Sequence, residues 1–520
     1  MTAPAGPDGA GFSRFSPAVR VADCFAPVLA QHPAREALVA RGGRWTYAEL
    51  DVACAQAAQV WRDRGVRSGD RVAVSLPNDA DIVFAFHGVM RVGAIFVGIN
   101  QNLAPPEKAY LLADSGTSVL LCDADTASAL GPHRAELPDL REVVILDSWQ
   151  QQLAAAAPAT DLPVVDPDAP AGLGYTSGTT GRPKGAVHSQ RNLLLPGAVL
   201  GASRGWGPDL RKGDCLPLTI LNMQVLTTLT TASAGGTAVI MDQIFARGVA
   251  EWIEREGVTV WNGPPALLHS LVTDNGIAPE AFASLRECWS GGSALPEVLR
   301  ERFRAKFGVP VIGTYGLTEA PTVVSIDPPD GSFAADASGQ VLPHLQITID
   351  GAGQSGPGDI CVGAATSGPY AGLYRPALGY WQRPEASATL APGGVLRTGD
   401  IGFVDDKGWL HIVDRRNLVI MRGGANVYPA EVERVLDGLP GVAASVVIGL
   451  PDERLGERVA AAIVLDDGAD LSVDDIAERC RRELAKYKVP ERIVVLPSVP
   501  RNAMGKIDRT VVRGLVQGDS

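Results

Sequence analysis

Short, almost uninterrupted apolar runs recur along this chain between stretches with helical spacing, and that alternation constrains the fold more than any other feature. RVAVSLP (71–77), SVLLC (118–122), EVVILD (142–147) and TAVIMD (237–242) read as buried strands, whereas AELDVACAQAAQVWRDRG (48–65) reads as a helix. The pattern predicts α/β layering. At 520 residues the chain exceeds what one core organises, so at least two domains are expected. AAAAPATDLPVVDPDAPAG (154–172) reads as a surface linker, after which a second αβ block runs to about 325. Short strands with Gly and Pro turns follow over 338–413, among them LQITID (345–350), DICVG (359–363) and WLHIVD (409–414), which predicts a β-rich subdomain. The tail alternates PAEVERVLDGL (429–439), two strand-like runs and SVDDIAERCRRELAKY (472–487), the pattern of a separate α+β domain.

Charge and cysteine usage exclude several function classes. Lys and Arg number 46 against 58 Asp and Glu, a net charge of −12. No basic block offsets it, so neither nucleic acid nor an anionic membrane surface is an expected partner. The seven cysteines are scattered without a C-x-x-C pair, which suggests reduced thiols in the cytoplasm rather than a disulfide framework or a zinc site. No basic segment followed by an apolar one opens the chain, so no signal peptide is expected. Cys215 to Met241 carries no charge, but Pro217, Asn222, Gln224, two glycines and six threonines interrupt it, and a buried core segment is expected rather than a membrane span.

The sharpest motif is Tyr175-Thr176-Ser177-Gly178-Thr179-Thr180-Gly181-Arg182-Pro183-Lys184-Gly185. Glycines let backbone N–H groups approach an anion, Ser and Thr hydroxyls add donors, and Lys184 adds a fixed charge, which is what a triphosphate requires of a loop. An ordinary surface turn has the same composition. A Walker loop is excluded, because Lys184 is followed by Gly185 rather than Ser or Thr. Gly351-Ala352-Gly353-Gln354-Ser355-Gly356 satisfies G-x-G-x-x-G, but another strand follows it where a dinucleotide fold needs a helix, so a hairpin turn is expected. Gly313-Thr314-Tyr315-Gly316-Leu317-Thr318-Glu319-Ala320, Thr398-Gly399-Asp400 and Asp414-Arg415 supply a ring face for a base, a carboxylate suited to Mg²⁺ and an acceptor for ribose hydroxyls. Each alone is more often structural than functional.

TSGTTGRPKG (176–185), GTYGLTEA (313–320), YRPALGYWQRPEAS with LRTGDIGFVDDKGWLHIVDRR (374–416), MRGGANVYPAEVE (421–433) and PRNAMGKIDR (500–509) occur in that order. The set resembles the adenylate-forming superfamily of acyl-CoA synthetases, stand-alone adenylation enzymes and luciferases. TYAEL (46–50), GDRVAVSLPN (69–78) and VGAIFVGINQNLAPPEKAYLLADSG (92–116) extend the likeness over nearly the whole chain. It implies an N-terminal adenylation domain over 1–416 and a small mobile domain over 417–520, hinged at Asn417.

The resemblance also implies site residues. Thr176, Ser177, Gly178, Thr179, Thr180, Gly181 and Lys184 would hold the triphosphate of ATP; Gly292, Thr314, Tyr315 and Gly316 would line the nucleotide, with Tyr315 on adenine. Thr318 would contact the α-phosphate, Glu319 with Thr176 would hold Mg²⁺, and Asp400 with Arg415 would hold the ribose. Lys506 would bridge the carboxylate and phosphate during adenylation, and Gly423, Gly424 and Ala425 would line a pantetheine tunnel for coenzyme A. The expected partners are a small carboxylic acid and CoA, with a carrier protein or an amine as alternative acceptors. Two departures matter. The hinge, commonly Lys or Asp, is Asn417, and the family's aromatic–His pair falls on Thr219 and Ile220. The ammonium of a free amino acid would be buried there unpaired, so Ile220, Leu221, Met223, Gly291 and Gly313 suggest an apolar acid of moderate size. The same apolar stripe is equally consistent with core packing.

Overall fold

The computed structural model describes residues 20–176, 183–292, 295–351, 356–415, 418, 420–422, 425–452, 455–484, 486–502 and 506–518. Contacts divide the chain into two compact units, one reaching to Thr348 and including Cys361–Arg397, the other comprising Ile349–Ile360 and the chain from Thr398 onward.

Two sheets organise the first unit. One has the spatial order Gly379–Tyr380, Lys184–Ser189, Pro170–Thr176, Ile95–Gly98, Arg71–Ser75, Val119–Cys122 and Glu142–Ile145. Its strands run parallel from Pro170–Thr176 to Glu142–Ile145, and the first two join antiparallel. The second has nine strands, with Glu287–Gly291 and Val311–Leu317 parallel neighbours near one end and Glu36–Ala40 near the other. Helix Tyr47–Asp63 starts at a capping box between Thr46 and Glu49, and helix Ala80–Val92 is buried on every side. One apolar core joins these helices to Val72 and Phe96 of the first sheet and Leu38 and Ile240 of the second. Their close approach requires Gly88, where a Cβ would lie 2.8 Å from the Ala57 methyl.

The uncharged segment forms helix Leu221–Gln224, a π turn over Val225–Leu229 and helix Thr230–Ala234. Four of its hydroxyls are satisfied locally: Thr228, Thr230, Thr231 and Ser233 donate to the carbonyls of Gln224, Val225, Thr227 and Leu229 at 2.8–2.9 Å. No helix among the described residues is long and apolar enough to cross a membrane. All seven cysteines are buried and free.

The second unit is α+β. Strand Gly456–Leu465 pairs antiparallel with Val442–Asp452 and parallel with Arg492–Val495. Alternate residues face opposite ways, as the period of a strand dictates. Val459, Ala461 and Ile463 pack on helices Pro429–Asp437 and Val473–Glu483, while Ala460 and Ala462 pack with Val512 and Val516 of helix Arg509–Gln517. The hairpin of Leu396–Val404 and Leu410–Arg415 falls largely in this unit, so the contacts divide at Arg397 whereas the family likeness puts the hinge at Asn417.

Candidate active site

The antiparallel pairing of Pro170–Thr176 with Lys184–Ser189 sets Thr176 opposite Lys184 and Tyr175 opposite Gly185. The Gly- and Thr-rich loop therefore leaves and re-enters the sheet at adjacent positions. Ser177, Gly178, Thr179, Thr180 and Gly181 lie outside the described residues. Gly185 leaves room for the Tyr175 ring, which a Cβ would meet at 3.2 Å.

A second, tighter hairpin brings in Thr318 and Glu319. Strand Val311–Leu317 turns through Thr318–Pro321 into Thr322–Ile326, with Leu317 opposite Thr322. Thr322 is buried at φ 84°, a left-handed conformation costly for a β-branched residue, and its hydroxyl has no partner among the described residues. A Cβ at Gly316 would overlap the Thr322 carbonyl, so this turn closes only over glycine. Three contacts hold it in place. His188 Nε2 donates to the Thr318 carbonyl at 2.7 Å, Ala377 N–H donates to the Glu319 carbonyl at 2.9 Å, and the Thr318 methyl occupies the space a side chain at Gly174 would need.

The Glu319 carboxylate then faces the phosphate hairpin. Its Oε1 accepts from the Tyr380 hydroxyl at 2.8 Å and from Thr176 Oγ1 at 3.4 Å. The Lys184 ammonium lies 5.7 Å from the centroid of the Tyr380 ring. Burial, reinforced by the Glu319 charge, raises the Tyr380 pKa and keeps its proton in place to donate. Burial pushes His188 down to about 4 against the bond to Thr318, so the ring is neutral; since a carbonyl only accepts, the proton sits on Nε2. A carboxylate, a hydroxyl and a fixed ammonium converge here, which is a setting for a polyphosphate and a hard cation.

Residues 25–370 match the AMP-binding enzyme family, and 431–506 match the AMP-binding enzyme C-terminal domain. The chain belongs to this family. It is 35% identical to the long-chain-fatty-acid–CoA ligase FadD13 of Mycobacterium tuberculosis, over 90% of this chain and 93% of that protein. It is 33% identical to the fatty acid–[acyl-carrier-protein] ligase ScoC of Streptomyces coeruleorubidus, over 94% and 95%. Its fold is similar to that of ATP-bound MatB from Rhodopseudomonas palustris, with a TM-score of 0.86 and 28% identity over 95% of this chain and 98% of that one. This AMP-binding enzyme is an AMP-forming acid–thiol ligase that uses ATP, Mg²⁺ and CoA to activate a carboxylic acid through an acyl-adenylate.

Other expected positions in the AMP-binding enzyme have diverse surroundings. Tyr315 is half-buried against an apolar cluster that includes Trp289, Ile312 and Val323. Gly291 packs against Thr314, whose hydroxyl donates to the Ser290 carbonyl at 3.3 Å, and Gly292 takes φ 82°. Gly313 donates its N–H to Asp327 Oδ2 at 2.6 Å, and that carboxylate is paired with buried Arg300 at 2.5 Å. Ile220 and Met223 are half-buried, while Leu221 is buried against Gly172. Asn262 Nδ2 approaches Met223 Sδ at 4.0 Å and donates to the buried Asp214 carboxylate at 3.1 Å.

In the second unit Asp400 is buried and stands opposite Arg415 across an antiparallel pair, its N–H donating to Thr398 Oγ1 at 3.1 Å. Lys506 is exposed and tied to Asn502: the Lys506 N–H donates to Asn502 Oδ1 at 3.1 Å, and the Asn502 N–H to the Lys506 carbonyl at 2.8 Å. Ala425 opens strand Ala425–Val427, and Asn417, Gly423 and Gly424 lie outside the described residues.

Sequence reasoning passed over Tyr380 and His188. A signal existed for the second: Lys184, Ala186 and His188 share one face of a strand, so His188 stands two pleats from the lysine. Tyr380 lies within YRPALGYWQRPEAS, but nothing in that run gives it a role at the site, because its partner is 61 residues away.

Proposed function

We propose that this enzyme joins an apolar carboxylic acid of moderate size to coenzyme A in two half-reactions, and that Thr176, Lys184, Thr318 and Glu319 serve the first. Thr176 and Tyr380 both donate to Glu319, and the Tyr380 ring lies beside Lys184; this grouping carries the reading. Attack of a carboxylate on the α-phosphate brings two anions together, so groups that neutralise phosphate charge stabilise the transition state. Lys184 supplies one positive charge. Glu319 and Thr176 present the hard oxygens that Mg²⁺ prefers, and the ion, when bound, would neutralise phosphate charge. Tyr315 would stack on adenine, and Asp400 and Arg415 would hold the ribose.

Lys506 would act in adenylation alone, after which rotation about Asn417 would bring Gly423, Gly424 and Ala425 to the pantetheine arm. The residues from 417 onward would move as the small domain. Ile220 and Met223 would line the acid pocket, with Gly291 and Gly313 at its edge. The free, buried thiols support a cytoplasmic setting. Transfer to a carrier protein is a second reading, favoured by the similarity to ScoC. The test is pyrophosphate release across an acid panel graded by chain length and polarity. The account expects release with medium-length apolar acids and little with free amino acids; a preference for amino acids would overturn the pocket assignment.

A further inference from the structure

The two stems of the phosphate hairpin are tied to one helix, the first at a buried carboxylate and the second at a tyrosine four residues before it, neither among the residues assigned to the nucleotide. Helix Pro105–Ser115 ends beside them. From this helix Asp114 Oδ2 accepts the Tyr175 hydroxyl at 3.0 Å, and the Tyr110 hydroxyl donates to the Pro183 carbonyl at 3.0 Å. Tyr175 precedes Thr176, and Pro183 precedes Lys184. The two contacts thus act one residue from each group assigned to the triphosphate.

A third segment closes the arrangement. Arg383 forms an ion pair with Asp114 Oδ1, and the Asp114 side chain is only 6% exposed. Arg383 follows Gln382, which takes the left-handed conformation at φ 51°, and Trp381, whose N–H donates to the Gly185 carbonyl at 2.8 Å. The chain therefore pairs with the stem that carries Lys184, then reverses through a strained residue and reaches the carboxylate that holds the other stem. Left-handed backbone at a non-glycine residue persists only where surrounding contacts enforce it.

We propose that Asp114, with Tyr110 and Arg383, is a positioning centre that fixes the spacing of Thr176 and Lys184 before ATP binds. None of the three touches the nucleotide in this account. They remove conformational freedom from the hairpin stems in advance, which lowers the ordering cost that the triphosphate would otherwise meet. The inference rests on the assignment of Thr176 and Lys184 to the triphosphate, whose two outer phosphates AMP lacks, and it leaves a signature that general destabilisation does not: ATP binding should suffer while AMP binding does not.

The experiment compares ATP and AMP affinity by titration calorimetry on the full chain for D114N, Y110F and K184A, with the unfolding midpoint of each. D114N keeps an acceptor for Tyr175 but removes the charge facing Arg383, and Y110F removes one oxygen. K184A is expected to weaken ATP about 10-fold or more, D114N about 5-fold and Y110F about 3-fold, with AMP affinity unchanged within about twofold in each. D114N and Y110F combined should cost less than the product of their separate effects, because both act on one hairpin. Equal weakening of ATP and AMP by D114N and Y110F, or no effect on ATP while K184A is selective, would overturn the positioning role. An unselective K184A would instead refute the phosphate assignment on which it rests. If D114N fails to fold, Y110F decides the matter.

Discussion

The Tyr380 hydroxyl donates to Glu319 Oε1 at 2.8 Å while the ring of the same residue faces the Lys184 ammonium at 5.7 Å. One side chain thereby touches both the carboxylate and the cation assigned to the phosphates. Tyr380→Phe keeps the ring and removes the donor. A hydrogen bond to a charged group contributes about 1.5–3 kcal/mol, so the adenylation rate should fall roughly 10- to 100-fold. Pyrophosphate exchange at a series of Mg²⁺ concentrations is the measurement, and an unchanged rate would remove Tyr380 from the site.

Gly174→Ala tests how the Thr318–Glu319 turn is held. The added methyl would collide with the Thr318 methyl, and such overpacking costs about 1–3 kcal/mol. Because the turn carries Glu319, kcat for adenylation should fall more than stability does. Thr318→Ser in the same chain removes the colliding methyl and keeps the hydroxyl, so the double variant should recover activity. Failure to recover would mean that the loss arises elsewhere.

Lys506→Ala should abolish acyl-adenylate formation and leave transfer from presynthesised acyl-AMP to CoA largely intact, because the charge serves only the first step. The half-reactions are timed separately. Equal loss in both would contradict the assignment of Lys506 to one step.

His87 is buried among Phe25, Phe86 and Tyr47, and neither ring nitrogen has a partner among the described residues. Burial, assisted by the nearby Arg91 charge, pushes its pKa from 6.5 down to about 3. The unfolded chain then binds a proton that the folded chain refuses, so this contribution to stability is complete above pH 6.5 and is lost as pH falls toward 3. The loss is about 1.4 kcal/mol per pH unit within that window. His87→Leu should be at least as stable as the wild type at pH 7 and should lose less stability between pH 6 and pH 5, measured by denaturant unfolding. Parallel pH profiles would show that His87 is not held neutral.

Much of this fold was legible in the sequence because strand and helix burial is a local property. RVAVSLP and SVLLC became Arg71–Ser75 and Val119–Cys122, and LQITID became strand Leu345–Asp350 at both ends. The threonines of 227–231 were compatible with a buried segment because Thr228, Thr230 and Thr231 return their protons to helix carbonyls nearby and Thr227 gives its proton to the Asp214 carboxylate. What the sequence concealed depends on distant partners. The resemblance had already joined Glu319 to Thr176, but Glu319 also meets Tyr380 across 61 residues, and Arg383 meets Asp114 across 269. Nothing in the spacing of those residues announces their meeting. Arg300, which no motif marks, is buried with Asp327 beside Gly313.

The central claim is that the acyl group passes through an adenylate to the thiol of coenzyme A. The most direct test incubates the enzyme with ATP, Mg²⁺, a medium-length apolar acid and either CoA or a panel of amines, and identifies the products by mass. The account predicts acyl-CoA, AMP and pyrophosphate in equal amounts when CoA is present, and only a slow, bound acyl-adenylate without it. Amide with no acyl-CoA, or cleavage of ATP to ADP, would contradict it.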